Sequence, residues 1–179
     1  MDRRIKKTRY AIQQVVLDKL SKKELSKITV TEVIQAADCS RSTFYLHFKD
    51  VFDVCEQLGD ELISDIVCLL EESYQENQAV DYMTFSQQIV TFAAKKRDLV
   101  KLFFGEQADG TMVNKLDKAV FEEVAREEQL ASNDLYSVAE ITFIAAGIIH
   151  VLSRWLTFDK ATWHQETMMT DLTRILEKF

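Results

Sequence analysis

Hydrogen-bonding side chains are concentrated between positions 40 and 49, where they alternate with two phenylalanines. They supply hydroxyl, guanidinium, phenol, imidazole and ammonium groups, from Ser40, Arg41, Ser42, Thr43, Tyr45, His47 and Lys49. Such groups donate hydrogen bonds to phosphate oxygens and to acceptor atoms on the edges of bases. Phe44 and Phe48 are spaced to share one face of a helix, and they can anchor that helix from behind. The segment therefore has the chemistry of a surface that binds duplex nucleic acid.

The first residues of this segment suit an approach to base edges. Arg41 can offer its guanidinium fork to guanine, and Thr43 can offer its methyl group to thymine or its hydroxyl to phosphate. Ser42 is small and lets the backbone come close to a groove. The sequence leaves open which of the three reads bases. It also leaves Tyr45 and His47 the alternative of being ordinary packing residues.

A helix, a turn and a second helix must position these groups. Thr29 and Glu32 have the spacing of a capping box, which predicts the start of a short helix. Residues 38–40 offer turn chemistry that ends in an N-cap serine, and another helix follows over residues 41–47. Thr29 and Thr31 then lie where they can contact a nucleic-acid backbone, although Thr29 can equally act as a cap alone.

Helix-breaking residues are scarce, because the 179-residue chain has no proline and only four glycines. Apolar residues recur at helical intervals along most of it. The predicted helices span residues 3–20, 30–37, 41–47, 51–74, 83–96, 98–104, 112–130, 135–158 and 161–179. We therefore expect an all-α protein of about nine helices. In it, a first domain of residues 1–50 contains the two short helices and their turn, and a second helical domain of residues 51–179 begins with the long helix.

The charge is distributed unevenly along the chain. Residues 1–50 contain 11 Lys and Arg against 6 Asp and Glu, whereas the remainder contains 11 against 23. The N-terminal part is therefore basic although the whole chain has a net charge of −7. A basic end on an acidic body is expected if that end meets phosphates, but a solvated basic helix has the same composition.

Residues 28–50, ITVTEVIQAADCSRSTFYLHFKD, resemble the helix-turn-helix of the tetracycline-repressor-like (TetR) family of bacterial transcriptional regulators. The resemblance covers about residues 5–55, and its most specific part is the stretch from Ser40 to Lys49. One position departs from the family pattern, because Asp38 stands where the family usually has glycine. That position often needs a left-handed backbone, which Asp tolerates better than most residues do.

The resemblance implies that residues 1–50 form a three-helix helix-turn-helix DNA-binding domain and that residues 51–179 form a helical regulatory, ligand-binding and dimerisation domain. Tyr45, His47 and Lys49 match residues that touch phosphates in the family. The resemblance also implies a homodimer that binds a double-stranded, pseudo-palindromic DNA operator as a repressor. A small-molecule or protein effector would release this dimer from the operator. An activator or co-regulator of the same fold that docks another protein is the alternative.

The C-terminal half carries a less specific pattern. Aromatic residues that could line an effector pocket, or equally fill the core, are Phe85, Phe92, Phe103, Phe104, Phe143 and Trp155. The stretch 141–156 is apolar nearly all round, which favours burial on several sides and a four-helix seam between two subunits. The residues expected in that dimer interface are Ile144, Ile148, Val151, Leu152, Trp155, Trp163, Leu172 and Ile175. A purely intramolecular core is the alternative.

Other functional classes receive little support. His150 and His164 lie on separate predicted helices, outside any catalytic or metal-binding motif, so we expect no enzyme, no metal and no cofactor. The acidic residues between 122 and 128 are typical of a solvated helix face. No uninterrupted apolar run reaches about 18 to 20 residues and the start lacks a signal-peptide core, which predicts a cytoplasmic protein without a membrane partner. A helical enzyme or lipid-binding module is the remaining alternative.

Overall fold

The computed structural model describes residues 3–74, 80–105, 108, 110–130, 134–157 and 164–178. In these residues the backbone forms nine α-helices and a short 3-10 helix, Leu25–Lys27. The α-helices are α1 (Arg3–Leu20), α2 (Val30–Ala36), α3 (Arg41–His47), α4 (Val51–Ser73), α5 (Tyr82–Lys95), α6 (Arg97–Phe104), α7 (Thr111–Glu127), α8 (Leu135–Thr157) and α9 (Gln165–Leu176). The all-α fold predicted from the sequence is confirmed.

The chain folds into two compact units, Met1–Glu61 and Leu62–Phe179, and the division between them falls inside α4. The first turns of α4 therefore belong to the same unit as α1, α2 and α3. The rest of α4 belongs to the second unit with α5–α9.

The core of the first unit is built from α1, α2, α3 and the start of α4. Ile12, Val16, Val33 and Phe44 are completely buried, and Phe48 is 2% exposed. The rings of the two phenylalanines lie 5.8 Å apart between centroids. Their predicted role as the anchors of α3 is thus confirmed.

Polar contacts within the first unit tie α1 to α4. The carboxylate of Glu61 pairs with the Arg9 guanidinium and accepts a hydrogen bond of 3.1 Å from the side-chain amide of Gln13. Gln13 is only 5% exposed, so this bond satisfies a polar group inside the core. The Arg9 guanidinium also lies over the ring of Phe48, 5.5 Å from its centroid, in a cation–π geometry.

In the second unit, α5 packs against α9, and α8 packs against both α6 and α7. Its fully buried side chains include Val90 and Met168. A buried hydrogen bond of 2.9 Å from the Ser153 hydroxyl to the carbonyl oxygen of Phe104 joins α8 to the end of α6. The helices of this unit line a cavity.

Helix α8 is long and apolar enough, by length and composition, to cross a membrane. It is the one such helix in the described part of the chain, and little of its apolar stretch is buried within the chain. The helix nevertheless packs on α6 and α7 through one side, where Leu152 and Leu156 are buried. Its other side carries Phe143, which is 67% exposed.

The turn between α2 and α3 has the left-handed backbone expected at Asp38, with φ of 47°. The amide of Cys39 donates to the carbonyl oxygen of Ile34 at 3.1 Å, which is the bond that closes a Schellman motif at a helix end. An Asp in this conformation is strained relative to glycine, and its negative charge also lies at the unfavourable C-terminal end of a helix.

We therefore expect Asp38→Gly to stabilise the protein by about 0.5–1 kcal/mol and Asp38→Val to destabilise it by at least as much, since a β-branched residue tolerates positive φ poorly. Urea-induced unfolding followed by circular dichroism measures both changes. Gln14→Gly, at an exposed position in the middle of α1, is the control and should lose about 1 kcal/mol, because glycine weakens a helix interior. A loss of stability in Asp38→Gly would contradict the strain at this turn.

Candidate nucleic-acid interface

The start of α2 is held by the predicted capping box. The Thr29 hydroxyl accepts a bond of 3.3 Å from the amide of Glu32, and the amide of Thr29 donates to the Glu32 carboxylate at 3.0 Å. Lys23 adds an ion pair at 2.8 Å. Hydrogen bonds from Lys23 and Thr29 lower the pKa of Glu32 to about 2. Thr29 thus acts as a cap, and its exposed side chain lies at the same edge of the helix as Thr31.

The start of α3 carries a cluster of three hydroxyl groups. The Ser40 hydroxyl caps the helix by accepting from the amide of Thr43 at 3.0 Å. It also lies 2.7 Å from the hydroxyl of Thr43 and 2.8 Å from that of Ser42. Because each hydroxyl can donate or accept, the cluster can turn its hydrogens toward either kind of partner.

A hydrogen bond between side chains connects the two helices. Arg41 donates from Nη2 to the hydroxyl of Thr31 at 3.0 Å, and both residues are exposed. A guanidinium has five N–H donors, so this bond leaves donors of Arg41 available for a bidentate contact with guanine. Sequence reasoning proposed both residues as contacts but did not foresee the bond between them.

The aromatic residues of α3 divide between its inner and outer faces. Tyr45 is 49% exposed and packs edge-on against the buried ring of Phe44, at 5.5 Å between centroids. His47 is half-buried, with its ring 6.3 Å from that of Phe48. Both therefore combine packing with polar atoms that can reach a partner.

Leu46 is 72% exposed on the same helix, and sequence reasoning missed it. A large apolar side chain within a polar segment is the signal that could have identified it. On a surface that faces DNA, such a side chain can contact the methyl group of thymine.

The start of α4 is stabilised by two carboxylates. Asp50 accepts from the amide of Asp53 at 2.8 Å, and Asp53 accepts from the amide of Lys49 at 2.7 Å. This bond to the amide of Lys49, followed by one from the side chain of Gln57, lowers the pKa of Asp53. The ammonium-bearing side chain of Lys49 is exposed beside this helix start.

All nine residues proposed to bind DNA lie in the first unit, on α2, α3 and their flanking turns. Seven of them are exposed, whereas Thr43 and His47 are half-buried. Hydrogen bonds link Thr31 to Arg41, and Ser40 to its two hydroxyl neighbours. None of these hydrogen bonds among the described residues includes the side chain of Lys49.

The second unit encloses a cavity of about 270 Å³ with a mainly apolar wall. Three of the aromatic residues selected from the sequence, Phe85, Phe92 and Phe104, line it. The other three do not. Phe103 and Trp155 are half-buried outside its wall, and Phe143 lies on the exposed side of α8.

Sequence reasoning missed the polar residues of this wall, which are Tyr74, Tyr82, Glu128 and Glu140. The Tyr74 hydroxyl donates to the Glu128 carboxylate at 3.3 Å. Burial, reinforced by the charge of Glu128, raises the pKa of Tyr74 well above its usual range. Glu128 is exposed, as expected for the acidic residues at 122–128, and its bond to Tyr74 holds its carboxylate at the solvent-exposed edge of the wall.

The residues expected in a dimer interface lie in different surroundings. Leu152 and Leu172 are buried within the chain, so their side chains are not available to a partner. Ile144 and Ile148 are half-buried and line the cavity, whereas Ile175 is 43% exposed.

Two further interface candidates, Val151 and Trp155, are half-buried, and Trp163 lies outside the described residues. The most exposed apolar side chains of α8 are instead Leu135, Tyr136 and Phe143. The sequence did not select these three for the interface.

No family model and no curated protein matches the sequence. Solved structures do match over nearly the whole chain. A TetR transcriptional regulator from Streptococcus agalactiae is 22% identical, with a TM-score of 0.63 and coverage of 98% of this chain and 96% of that one. A TetR-family transcriptional regulator from Syntrophomonas wolfei is 15% identical, with a TM-score of 0.72 and coverage of 97% and 94%.

The fatty acid degradation regulator FadR from Bacillus halodurans is also 15% identical, with a TM-score of 0.66 and coverage of 98% and 95%. At such identities the likeness concerns the fold, and it extends through both units. The helices that the resemblance of residues 28–50 implied are therefore set in a matching architecture. The chain has the fold of the TetR-family transcriptional regulators.

Proposed function

We propose that this protein is a TetR-like transcriptional regulator that binds duplex DNA through α3. One observation carries the proposal. The outer face of α3 carries exposed hydrogen-bonding groups from Arg41, Ser42 and Tyr45, and its inner face is fixed by the buried rings of Phe44 and Phe48. A helix whose only role was to complete the core would not require these exposed hydrogen-bonding groups.

The dimensions of α3 suit the major groove. An α-helix with its side chains is about 10–12 Å in diameter, and the groove is about 12 Å wide. In the proposed complex Arg41, Ser42 and Thr43 face base edges. Residues that contact the phosphates on either side are Thr29, Thr31, Ser40, Tyr45, His47 and Lys49. The basic charge of residues 1–50 supports this orientation, because phosphates attract that end of the chain.

The exposed apolar side of α8 supports a homodimer. Tyr136 and Phe143 lie seven residues apart, about two helical turns, and are 75% and 67% exposed. A Cβ added to Gly147, one turn further on, would meet nothing within 4 Å, so another helix can approach closely there. A second copy of the chain is the occupant we propose. A symmetric dimer can place two recognition helices about 34–36 Å apart on a pseudo-palindromic operator.

This arrangement also favours a cytoplasmic protein over a membrane-spanning one. The same α8 that is apolar enough to cross a bilayer contributes Glu140 and Leu152 to the cavity wall. Lipid around the helix would also surround the neighbouring α7, whose exposed Lys118 and Glu122 are costly to place in hydrocarbon.

We further propose that the protein is a repressor whose effector occupies the cavity. Ile66, Leu70 and Tyr74 of α4 line the cavity, and the first turns of the same helix belong to the DNA-binding unit. A ligand changes DNA affinity only if it binds two conformations unequally. Helix α4 is the element through which such a difference can be transmitted along the chain.

Substitutions in α3 should separate phosphate contacts from base contacts. Tyr45→Phe and Lys49→Ala should weaken binding to all duplexes by similar factors, and Lys49→Ala should reduce the slope of log affinity against log salt by about 1. Arg41→Ala and Thr43→Ala should in addition relax the preference at particular bases. Fluorescence anisotropy on duplexes selected from a random pool by the wild-type protein measures these effects.

Tyr10→Phe and Lys118→Ala are the matched controls, because they remove the same groups from exposed positions on α1 and α7, outside the proposed contacts. Both should bind DNA as the wild type does. Unchanged DNA affinity in all four α3 variants would refute the interface.

A charge on the outer side of α8 should split the dimer. Phe143→Asp would bury an uncompensated carboxylate in the proposed interface, so we expect the mass from light scattering to fall from two chains to one. Met83→Asp on α5 is the matched control, since Met83 is 58% exposed and lies on another helix. A wild-type protein that is monomeric at all concentrations would contradict the proposed dimer.

A further inference from the structure

We infer that the cavity of the second unit takes a small lipophilic cation, of the chemical class of an alkylammonium ion. This inference rests on the proposed function for its regulatory meaning. The chemistry of the wall alone argues for the class of ligand.

Most of the wall is hydrocarbon. At one end of the cavity the wall is made by residues of α6, α8 and α9, among them Val100, Phe104, Leu152 and Leu176. The Ser153–Phe104 hydrogen bond joins α6 and α8 at this end. The volume of about 270 Å³ is close to the lower limit of the roughly 300–1,000 Å³ that ligand pockets occupy. A short alkyl or aryl group therefore fits this end.

The polar groups of the wall come from helix ends that meet at the other end of the cavity. Tyr74 follows α4, Tyr82 begins α5, Glu128 follows α7, and Glu140 lies in the second turn of α8. The bond from Tyr74 to Glu128 joins the ends of α4 and α7, and a backbone bridge from Tyr74 to Val80 brings the start of α5 beside them. The cavity is thus amphipathic along its length.

The charge at the polar end is negative. Glu128 and Glu140 are acidic, and none of the described wall residues is Lys, Arg or His. Arg126, near the end of α7, is not part of the wall and is shared by the carboxylates of Glu71, Glu123 and Glu127. An anionic ligand would meet carboxylates in the wall and a nearby arginine that is already surrounded by them.

A cation is the ligand that this wall stabilises. An ammonium group can donate charge-assisted hydrogen bonds to carboxylates, and such bonds are stronger than those between neutral groups. Tyr74, Tyr82, Phe85 and Phe92 supply aromatic rings, whose faces attract cations. A carboxylate in the same position would be repelled by both acids, and a neutral alcohol would donate a hydrogen bond that lacks the assistance of a positive charge.

An isosteric series tests the inference on the full-length protein. The probes are n-octylammonium chloride, n-octanol and sodium octanoate, with binding measured by isothermal titration calorimetry. We expect octylammonium to bind at least about tenfold more tightly than octanol, and octanoate more weakly than both. Equal affinities, or tighter binding of octanoate, would overturn the inference.

Variants locate the effect in the cavity. The double variant E128Q/E140Q keeps the shape of both side chains and one acceptor oxygen on each but removes their charge, so octylammonium should lose its advantage over octanol. The matched control is E122Q, since Glu122 is exposed on α7, outside the wall, and pairs with Lys118 at 3.7 Å. A cation preference that survives in E128Q/E140Q would contradict the assignment.

A cavity-filling substitution tests the location of binding, and a DNA-binding assay separates this inference from the proposed function. Ala145 lies in the wall and is 7% exposed, so Ala145→Phe places a ring in the cavity. This variant should bind octanol and octylammonium more weakly, by similar factors. If Ala145→Phe does not fold, E128Q/E140Q still tests whether the cavity prefers a cation. A protein that binds DNA without preferring octylammonium contradicts only this inference, whereas a preference without DNA binding contradicts only the proposed function.

Discussion

Phe44 and Phe48 pack their rings 5.8 Å apart in the core of the first unit, and the outer face of α3 depends on that packing. A helix of seven residues is not stable by itself in water, because nucleation is costly and few hydrogen bonds follow it. Removing a buried phenylalanine costs about 3–5 kcal/mol, a large part of the total stability of a small domain. The polar groups of α3 therefore keep their arrangement only because the aromatic side remains buried.

The parts of the fold that could be predicted are those whose signals lie within a few residues of one another. The capping box of Thr29 and Glu32, the cap at Ser40 and the left-handed turn at Asp38 are each set by one local contact or backbone angle. The spacing of Phe44 and Phe48 gave the buried side of α3 in the same way. These local patterns are the reason why the bounds of α3 matched the sequence prediction.

Contacts between distant residues could not be predicted. The pairing of Arg9 with Glu61 and the bond from Tyr74 to Glu128 depend on tertiary packing that no local pattern encodes. Helix α8 shows a second limit of prediction from local sequence patterns. A helix that is apolar nearly all round has no strong amphipathic direction, so its pattern assigns Leu152 to a dimer interface and Phe143 to a pocket or the core, whereas Leu152 is buried within the chain and Phe143 is exposed.

The hydrogen bond from Arg41 to Thr31 has a consequence for the way in which such a helix evolves. An arginine side chain has about 2 kcal/mol of rotamer entropy, and a partner within the protein restricts it before any encounter with a base. Replacing Thr31 with a residue that lacks a hydroxyl would release the guanidinium to sample other directions. In the proposed complex, drift at position 31 therefore changes which nucleotide sequences are tolerated while Arg41, Ser42 and Thr43 stay the same.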